Sequence, residues 1–184
     1  VTLANRITLF RLAVVPVFCG MVHLCTPDRP GLRHLALALY VAAAVSDALD
    51  GYVARRFGQV SALGRRLDPL ADKLLVNLGL VFMAGNPAFE PAVPLWFPGA
   101  VLARDVLIVL GAWLINELYG PVRVRPRPSG KITTAVQMTT MTVLLIGWGW
   151  SVWLMWATVL CSVWSLGDYL LFGWTQVNEK EGRK

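Results

Sequence analysis

Four aspartates are the residues of this chain whose types and spacing could do chemistry: Asp47, Asp50, Asp68 and Asp72. The first two are three positions apart and the last two are four apart, so on helices each pair would share one face. Neighbouring carboxylates repel one another, and divalent cations offset this repulsion because carboxylate oxygens are ligands that Mg²⁺ and Mn²⁺ prefer. Two such ions can bridge a phosphate and stabilise a leaving group, so the pattern predicts metal-assisted phosphate chemistry.

Small residues beside the first pair support a bound ligand. Gly51 and Ala54 continue the same helix face and leave a groove in which a ligand can approach the backbone. A structural alternative is that the aspartates cap helices or form ion pairs with Arg55 and Lys73. Their regular spacing within or beside apolar segments favours the functional interpretation, because charge inside a bilayer is costly and usually functional.

Apolar segments must position these aspartates. Of the 184 residues, 56% are hydrophobic and 15% are charged, whereas a soluble domain is about 45–50% apolar and about 25% charged. Six runs approach the length that crosses a bilayer as a helix: Ile7–Leu24, His34–Val53, Pro69–Ala84, Leu95–Leu118, Ile132–Gly149 and Val152–Trp174. The sequence therefore predicts an all-α, polytopic membrane protein with six transmembrane helices. It forms a single domain over residues 1–184, with a juxtamembrane segment at 1–6 and a polar tail at 175–184.

The net charge of +6 is distributed as in a membrane protein rather than in a nucleic-acid-binding protein. With the N-terminus inside, the outer loops carry only Arg29 and Arg33. The inner segments carry Arg6, Arg55, Arg56, Arg65, Arg66, Arg123, Arg125, Arg127, Lys131, Lys180, Arg183 and Lys184. This positive-inside asymmetry predicts cytoplasmic N- and C-termini, and it places the aspartates at the cytoplasmic face.

The aspartate segment resembles the signature of the CDP-alcohol phosphotransferase family, D-x2-D-G-x2-A-R-x8-G-x3-D-x3-D. Every fixed position is filled at the family spacing, by Asp47, Asp50, Gly51, Ala54, Arg55, Gly64, Asp68 and Asp72. The resemblance implies a fold of six transmembrane helices and the transfer of a phosphatidyl or similar group from a CDP-linked donor to an alcohol, with release of CMP.

The resemblance also implies a role for each position of the motif. Asp47, Asp50 and Asp68 would be ligands of two Mg²⁺ or Mn²⁺ ions, and Asp72 would be the general base while also touching a metal. The CDP pocket would consist of Asp47, Gly51, Ala54, Arg55 and Gly64. These roles agree with the residue types, because a carboxylate can accept the hydroxyl proton and an arginine binds phosphate oxygens in a bidentate manner.

Two further segments resemble the bacterial phosphatidylglycerophosphate synthases of this family, which join CDP-diacylglycerol to glycerol 3-phosphate. They are the opening A-N-R-I-T-L-F-R-L and the S-G-K-I-T-T-A-V-Q-M that follows the fourth run. Arg104, which has an acidic neighbour in the fourth run, and Lys131 are predicted to hold the acceptor phosphate, with Arg123, Arg125 or Arg127 nearby. Asp168 and Tyr169, near the inner end of the last run, are interpreted as packing and interfacial anchoring residues.

Other functions stay open on the sequence alone. Asp105 stands where the synthases usually have glutamate, and Thr133 stands where they usually have a second lysine. These features look more like cardiolipin synthases of the same family, whose acceptor is phosphatidylglycerol, and inositol phosphate or serine are further acceptors. A transporter with intramembrane acids is the non-enzyme alternative. It is disfavoured because a transport path needs polar groups across the whole membrane.

Family resemblance and the prevalence of two-fold symmetry predict a homodimer. The predicted location is the bacterial inner membrane.

Overall fold

The structure is a computed structural model that describes the backbone of residues 3–57, 64–120 and 127–181, and the side chains of residues 12–46, 73–120 and 127–178. The described chain consists of six α-helices and contains no strand. In chain order they are α1 (Leu3–His23), α2 (Pro30–Phe57), α3 (Gly64–Met83), α4 (Trp96–Tyr119), α5 (Pro128–Ile146) and α6 (Ser151–Glu181). The prediction of an all-α fold is therefore confirmed.

Each helix coincides with one predicted apolar run, but several helices extend beyond it into polar sequence. The segment between the second and third predicted runs is partly helical, because α2 continues to Phe57 and α3 begins at Gly64. The predicted polar tail is likewise helical as far as Glu181. The stretch from Pro128 to Lys131, which precedes the fifth predicted run, is the first turn of α5. Proline suits the start of a helix because its missing N–H would have no partner there.

The chain divides into two compact units, and the first comprises Val1–Leu95 and Met141–Gly149. In this unit α1 packs against both α2 and α3. Phe18 and Leu80 are fully buried in its core. Gly79 allows the close packing, because a Cβ there would lie 2.7 Å from the Phe18 ring and 2.1 Å from Cε of Met141.

Arg33 stabilises the C-terminal end of α5 in the same unit. Its Nη2 donates to the carbonyl of Leu144 at 2.7 Å and its Nε to the carbonyl of Leu145 at 2.9 Å. Carbonyls in the last turn of a helix have no partner within the helix, and a cation there also interacts favourably with the helix dipole. Gly147 ends the helix in the left-handed conformation with φ 86°, and its N–H donates to the Val143 carbonyl at 3.0 Å.

The second unit comprises Trp96–Thr140 and Trp150–Lys184, and in it α4 packs against α6. Hydroxyl groups join α5 to α6. Thr133 donates to the Cys161 carbonyl at 3.0 Å, and the hydroxyls of Thr140 and Thr158 are 2.8 Å apart. Such side-chain hydrogen bonds between helices are typical of helix pairs in membranes.

Two of the described helical segments, Trp96–Tyr119 and Ser151–Asn178, are long and apolar enough to cross a membrane. Large apolar side chains on both segments are exposed, including Val109 at 65% and Leu160 at 68%. Many exposed large apolar side chains on one segment are unusual in a soluble protein and mark a protein or membrane interaction site. These observations are consistent with a membrane protein.

Candidate active site and acceptor-phosphate site

The structure places the four aspartates on two consecutive helices. Asp47 and Asp50 belong to α2, and Asp68 and Asp72 belong to α3. Residues three or four apart on an α-helix lie on the same face, so each pair of aspartates shares one face of its helix, as predicted. The side chains of these aspartates, and the predicted CDP-binding positions Gly51, Ala54, Arg55 and Gly64, lie outside the described side chains. Their contacts stay predictions.

The predicted metal centre depends on the chemistry of the four aspartates. Among the side chains that the structure describes, no group of three or more histidines, cysteines and acidic residues could hold a metal ion. The four aspartates offer only carboxylate oxygens, and such donors fit Mg²⁺ and Mn²⁺ rather than softer metals. The four aspartate carboxylates, two on each helix, are therefore a suitable set of ligands for the predicted ions.

Arg104 lies inside the second unit and is only 5% exposed. Its Nη1 is 2.6 Å from Oδ1 of Asp105, its Nη2 donates to the Ser165 hydroxyl, and its guanidinium carbon is 6.0 Å from the centre of the Tyr169 ring. Its Nε has no hydrogen-bond partner among the residues that the structure describes. A buried donor without a partner is rare in proteins and has a specific reason where it occurs, such as a catalytic or ligand-binding role.

The first turn of α5 approaches this arginine at Gly130. A Cβ on Gly130 would lie 3.0 Å from the Tyr169 hydroxyl and 3.6 Å from Nη2 of Arg104, so glycine is what allows the close approach. Lys131 follows directly and is exposed. The start of an α-helix carries unpaired N–H groups and a partial positive charge, and both attract anions. Arg104 therefore lies at the helix start that carries Lys131, as an acceptor-phosphate site would need.

The remaining basic residues that are predicted near this site are Arg123, Arg125 and Arg127. Arg123 and Arg125 lie outside the described residues, so their proposed contact with a phosphate stays a prediction. Arg127 has a protein partner instead, because its Nε and Nη2 each lie 2.6 Å from an oxygen of Asp168. This bidentate geometry is the strongest form of arginine–carboxylate contact.

Several residues of this site were not predicted to belong to it. Asp168 and Tyr169 were interpreted as packing and anchoring residues, yet they contact the start of α5, and Ser165 bonds Arg104. A signal was present in the sequence. Thr158, Ser162, Ser165 and Tyr169 recur every three or four residues along α6, which places a polar stripe on one face of an apolar helix.

Thr133, which stands where the synthases usually have a second lysine, lies between α5 and α6. It is completely buried, and its hydroxyl donates to the carbonyls of Ser129 and Cys161 at 2.9 and 3.0 Å. A buried ammonium would need a compensating charge or several acceptors. Thr133 therefore joins α5 to α6 through its hydroxyl, and Lys131 is the lysine of this helix start.

The family model of the CDP-alcohol phosphatidyltransferases matches residues 1–164. This chain belongs to that family. The resemblance of its aspartate motif to the family signature is thereby confirmed, and the chain is a transferase by family membership.

Individual relatives support this membership. The CDP-diacylglycerol–glycerol-3-phosphate 3-phosphatidyltransferase of Bacillus subtilis is 36% identical over 155 residues, which cover 78% of this chain and 76% of the relative. The CMP-forming cardiolipin synthase of Streptomyces coelicolor is 37% identical over 81% of this chain and 68% of its own length. The 3-phosphatidyltransferase of Escherichia coli K12 is 31% identical over 89% of this chain and 90% of its own length.

Proposed function

We propose that this CDP-alcohol phosphatidyltransferase transfers the phosphatidyl group of CDP-diacylglycerol to glycerol 3-phosphate, giving phosphatidylglycerophosphate and CMP. The observation that carries the choice of acceptor is the buried Arg104, which lies against the first turn of α5 at Gly130, the residue before Lys131. A phosphate monoester carries more negative charge than the phosphodiester of phosphatidylglycerol or than serine, and arginine, lysine and a helix start all favour it. Relatives from Bacillus, Rickettsia and Escherichia that are named for this reaction support the same acceptor.

In the proposed reaction, the acceptor hydroxyl attacks the phosphorus that carries diacylglycerol. Asp72 accepts the hydroxyl proton, the new P–O bond forms, and the P–O bond to CMP breaks so that CMP leaves with the electron pair. Asp47, Asp50, Asp68 and Asp72 would hold two Mg²⁺ or Mn²⁺ ions, which when bound supply charge neutralisation at the phosphates. Arg55, with the small residues Gly51, Ala54 and Gly64, binds the CDP portion of the donor.

The proposed membrane arrangement has six spans, with both termini and the aspartates on the cytoplasmic side of a bacterial inner membrane. Support comes from the agreement of all six helices with apolar runs, and from the segregation of basic residues along the sequence. The protein is proposed to act as a homodimer, because two-fold symmetric dimers are the commonest assemblies.

A cardiolipin synthase that uses phosphatidylglycerol as acceptor is the second candidate function. The Streptomyces relative and the presence of Asp105 and Thr133 favour it. The two acceptors differ in charge, because phosphatidylglycerol offers a phosphodiester and glycerol 3-phosphate offers a monoester. A site that combines Arg104, Lys131 and a helix start is better matched to the monoester.

An acceptor screen tests this proposal. Purified protein with Mg²⁺ or Mn²⁺ and CDP-diacylglycerol should release CMP when glycerol 3-phosphate is added, and much more slowly with phosphatidylglycerol, inositol phosphate or serine. The Asp72→Asn variant is the matched control for non-enzymatic release. Faster turnover with phosphatidylglycerol would replace the proposed function by the second candidate. An absence of CMP release with every acceptor would refute both.

A further inference from the structure

Asp168, in the last part of α6, binds two residues at the start of α5. Its two carboxylate oxygens accept from Nε and Nη2 of Arg127, both at 2.6 Å. The Ser129 hydroxyl donates to the same carboxylate at 2.5 Å. The guanidinium carbon of Arg127 also lies 4.8 Å from the centre of the Phe172 ring. The charge of Arg127 is thus matched by a carboxylate of the protein and is directed away from any ligand role.

Tyr169, the next residue of α6, contacts the same turn from another direction. The backbone N–H of Arg127 donates to its hydroxyl at 3.2 Å, and that hydroxyl lies 3.0 Å from the position of a Cβ on Gly130. The Tyr169 ring also faces the guanidinium of Arg104 at 6.0 Å. Two consecutive residues of α6 therefore fix the start of α5 at positions 127, 129 and 130, and one of them also touches Arg104.

The first turn of α5 needs such a restraint if it is to bind an anion. Helix ends fray, and their N–H groups have no partner further back in the helix. A ligand site requires its donors to be held within about 0.5 Å of the productive geometry. Nε of Arg104 is buried without a partner among the described residues, and Nη2 of the same guanidinium lies 3.6 Å from the Cβ position of Gly130. An unpartnered donor on this side chain favours a polar ligand beside the turn.

We propose that Asp168 and Tyr169 are positioning residues that hold the first turn of α5 against α6, so that Lys131 and Arg104 together bind a phosphate monoester. Neither residue contacts the phosphate itself. The inference rests on the acceptor site of the proposed function, and it assigns to Asp168 and Tyr169 a specific effect on acceptor binding.

Two conservative substitutions test the role of these residues. Asp168→Asn keeps an oxygen that can accept from Ser129 but removes the charge that binds Arg127, and Tyr169→Phe removes only the hydroxyl. Both should raise the Kd of glycerol 3-phosphate, measured directly by radioligand binding, and the acceptor KM, each by about 10-fold. The kcat and the KM for CDP-diacylglycerol should stay within about twofold, because the restraint acts on the acceptor side.

A matched control and a double variant separate positioning from general damage. Thr175→Ala removes an exposed hydroxyl of α6 that donates to the Phe172 carbonyl of its own helix, and it should leave acceptor binding unchanged. In the double variant with Arg127→Gln and Asp168→Asn, the Kd should be no higher than in either single variant, because both changes remove the same contact. Additive losses would contradict a shared restraint.

The outcomes distinguish this inference from the proposed function. If glycerol 3-phosphate binds, the two variants weaken it, and no CMP is released with this acceptor, the proposed reaction is wrong and the positioning role stands. The inference is overturned if the variants keep the wild-type Kd, or if wild-type protein binds neither glycerol 3-phosphate nor inorganic phosphate. For a variant that is unstable, amide hydrogen exchange replaces the binding measurement. Faster exchange limited to residues 129–134 supports the restraint, and exchange that is unchanged there or faster throughout α5 overturns it.

Discussion

At the scale of single residues, the four aspartates are proposed to carry the chemistry, with Asp72 as the base. Asp72→Asn keeps the size of the side chain and removes its capacity to accept the hydroxyl proton. We expect turnover to fall by about 10²–10⁴-fold, while binding of a CDP nucleotide in the presence of Mg²⁺ changes little. Steady-state CMP release and nucleotide binding would be measured side by side. Near wild-type turnover in this variant would remove Asp72 from the role of base.

Lys131 offers a test of the acceptor site that does not disturb a buried network. Because its side chain is exposed, Lys131→Gln should fold normally. A lost hydrogen bond to a charged group is worth about 1.5–3 kcal/mol, so the KM for glycerol 3-phosphate should rise by about 10–100-fold. Arg29→Gln removes an exposed basic residue far from the first turn of α5 in sequence and is the control. If the KM for glycerol 3-phosphate is the same in Lys131→Gln and Arg29→Gln, Lys131 contributes to membrane topology and not to acceptor binding.

How far the site could be predicted depends on the kind of residue. Arg104 could be identified because a charge within an apolar run is unusual and is seldom there without a function. The contact between Arg127 and Asp168 could not, because the two residues are 41 positions apart and no periodicity relates them. Their charges are visible in the sequence, but which of several basic residues meets a given carboxylate depends on the packing of α5 on α6.

At the scale of elements, the end of α5 depends on Gly147 and Arg33. Gly147→Ala places a residue with a Cβ at φ 86° and brings that Cβ to 2.7 Å from Nη2 of Arg33. A non-glycine residue in this region costs about 1–3 kcal/mol, and displacing Arg33 would also release two helix carbonyls. The apparent melting temperature in detergent should therefore fall. Gly149→Ala is the control, since a Cβ there meets no atom of the described residues within 4 Å, and equal melting temperatures would contradict this account.

The helices themselves were predictable because burial in lipid and formation of a helix both favour long apolar segments. Their polar ends were not, because hydropathy decreases where a segment leaves the bilayer while the backbone hydrogen bonds of a helix continue. This is why α6 reaches Glu181 although its apolar run ends at Trp174, and why α3 begins at Gly64 rather than at Pro69.

At the scale of the whole molecule, the proposed topology makes a prediction about access from the two sides of the membrane. In a variant without Cys19, Cys25 and Cys161, a cysteine introduced by Asp28→Cys should react with an impermeant maleimide in intact cells. One introduced by Asn178→Cys should react only after the inner membrane is opened, because the basic residues near both termini favour the cytoplasm. Both positions are exposed in the structure. Labelling of the second cysteine in intact cells would invert the topology and move the aspartates outside.

The hydroxyl contacts between α5 and α6 have a consequence for assembly in lipid. In water, two apolar helices associate because their surfaces leave the solvent, but hydrocarbon removes that driving force. The bonds of Thr133 to the Cys161 carbonyl and of Thr140 to Thr158 do not depend on water. In the proposed six-span arrangement, these hydrogen bonds would let α5 and α6 associate within the bilayer, where the burial of apolar surface no longer drives association.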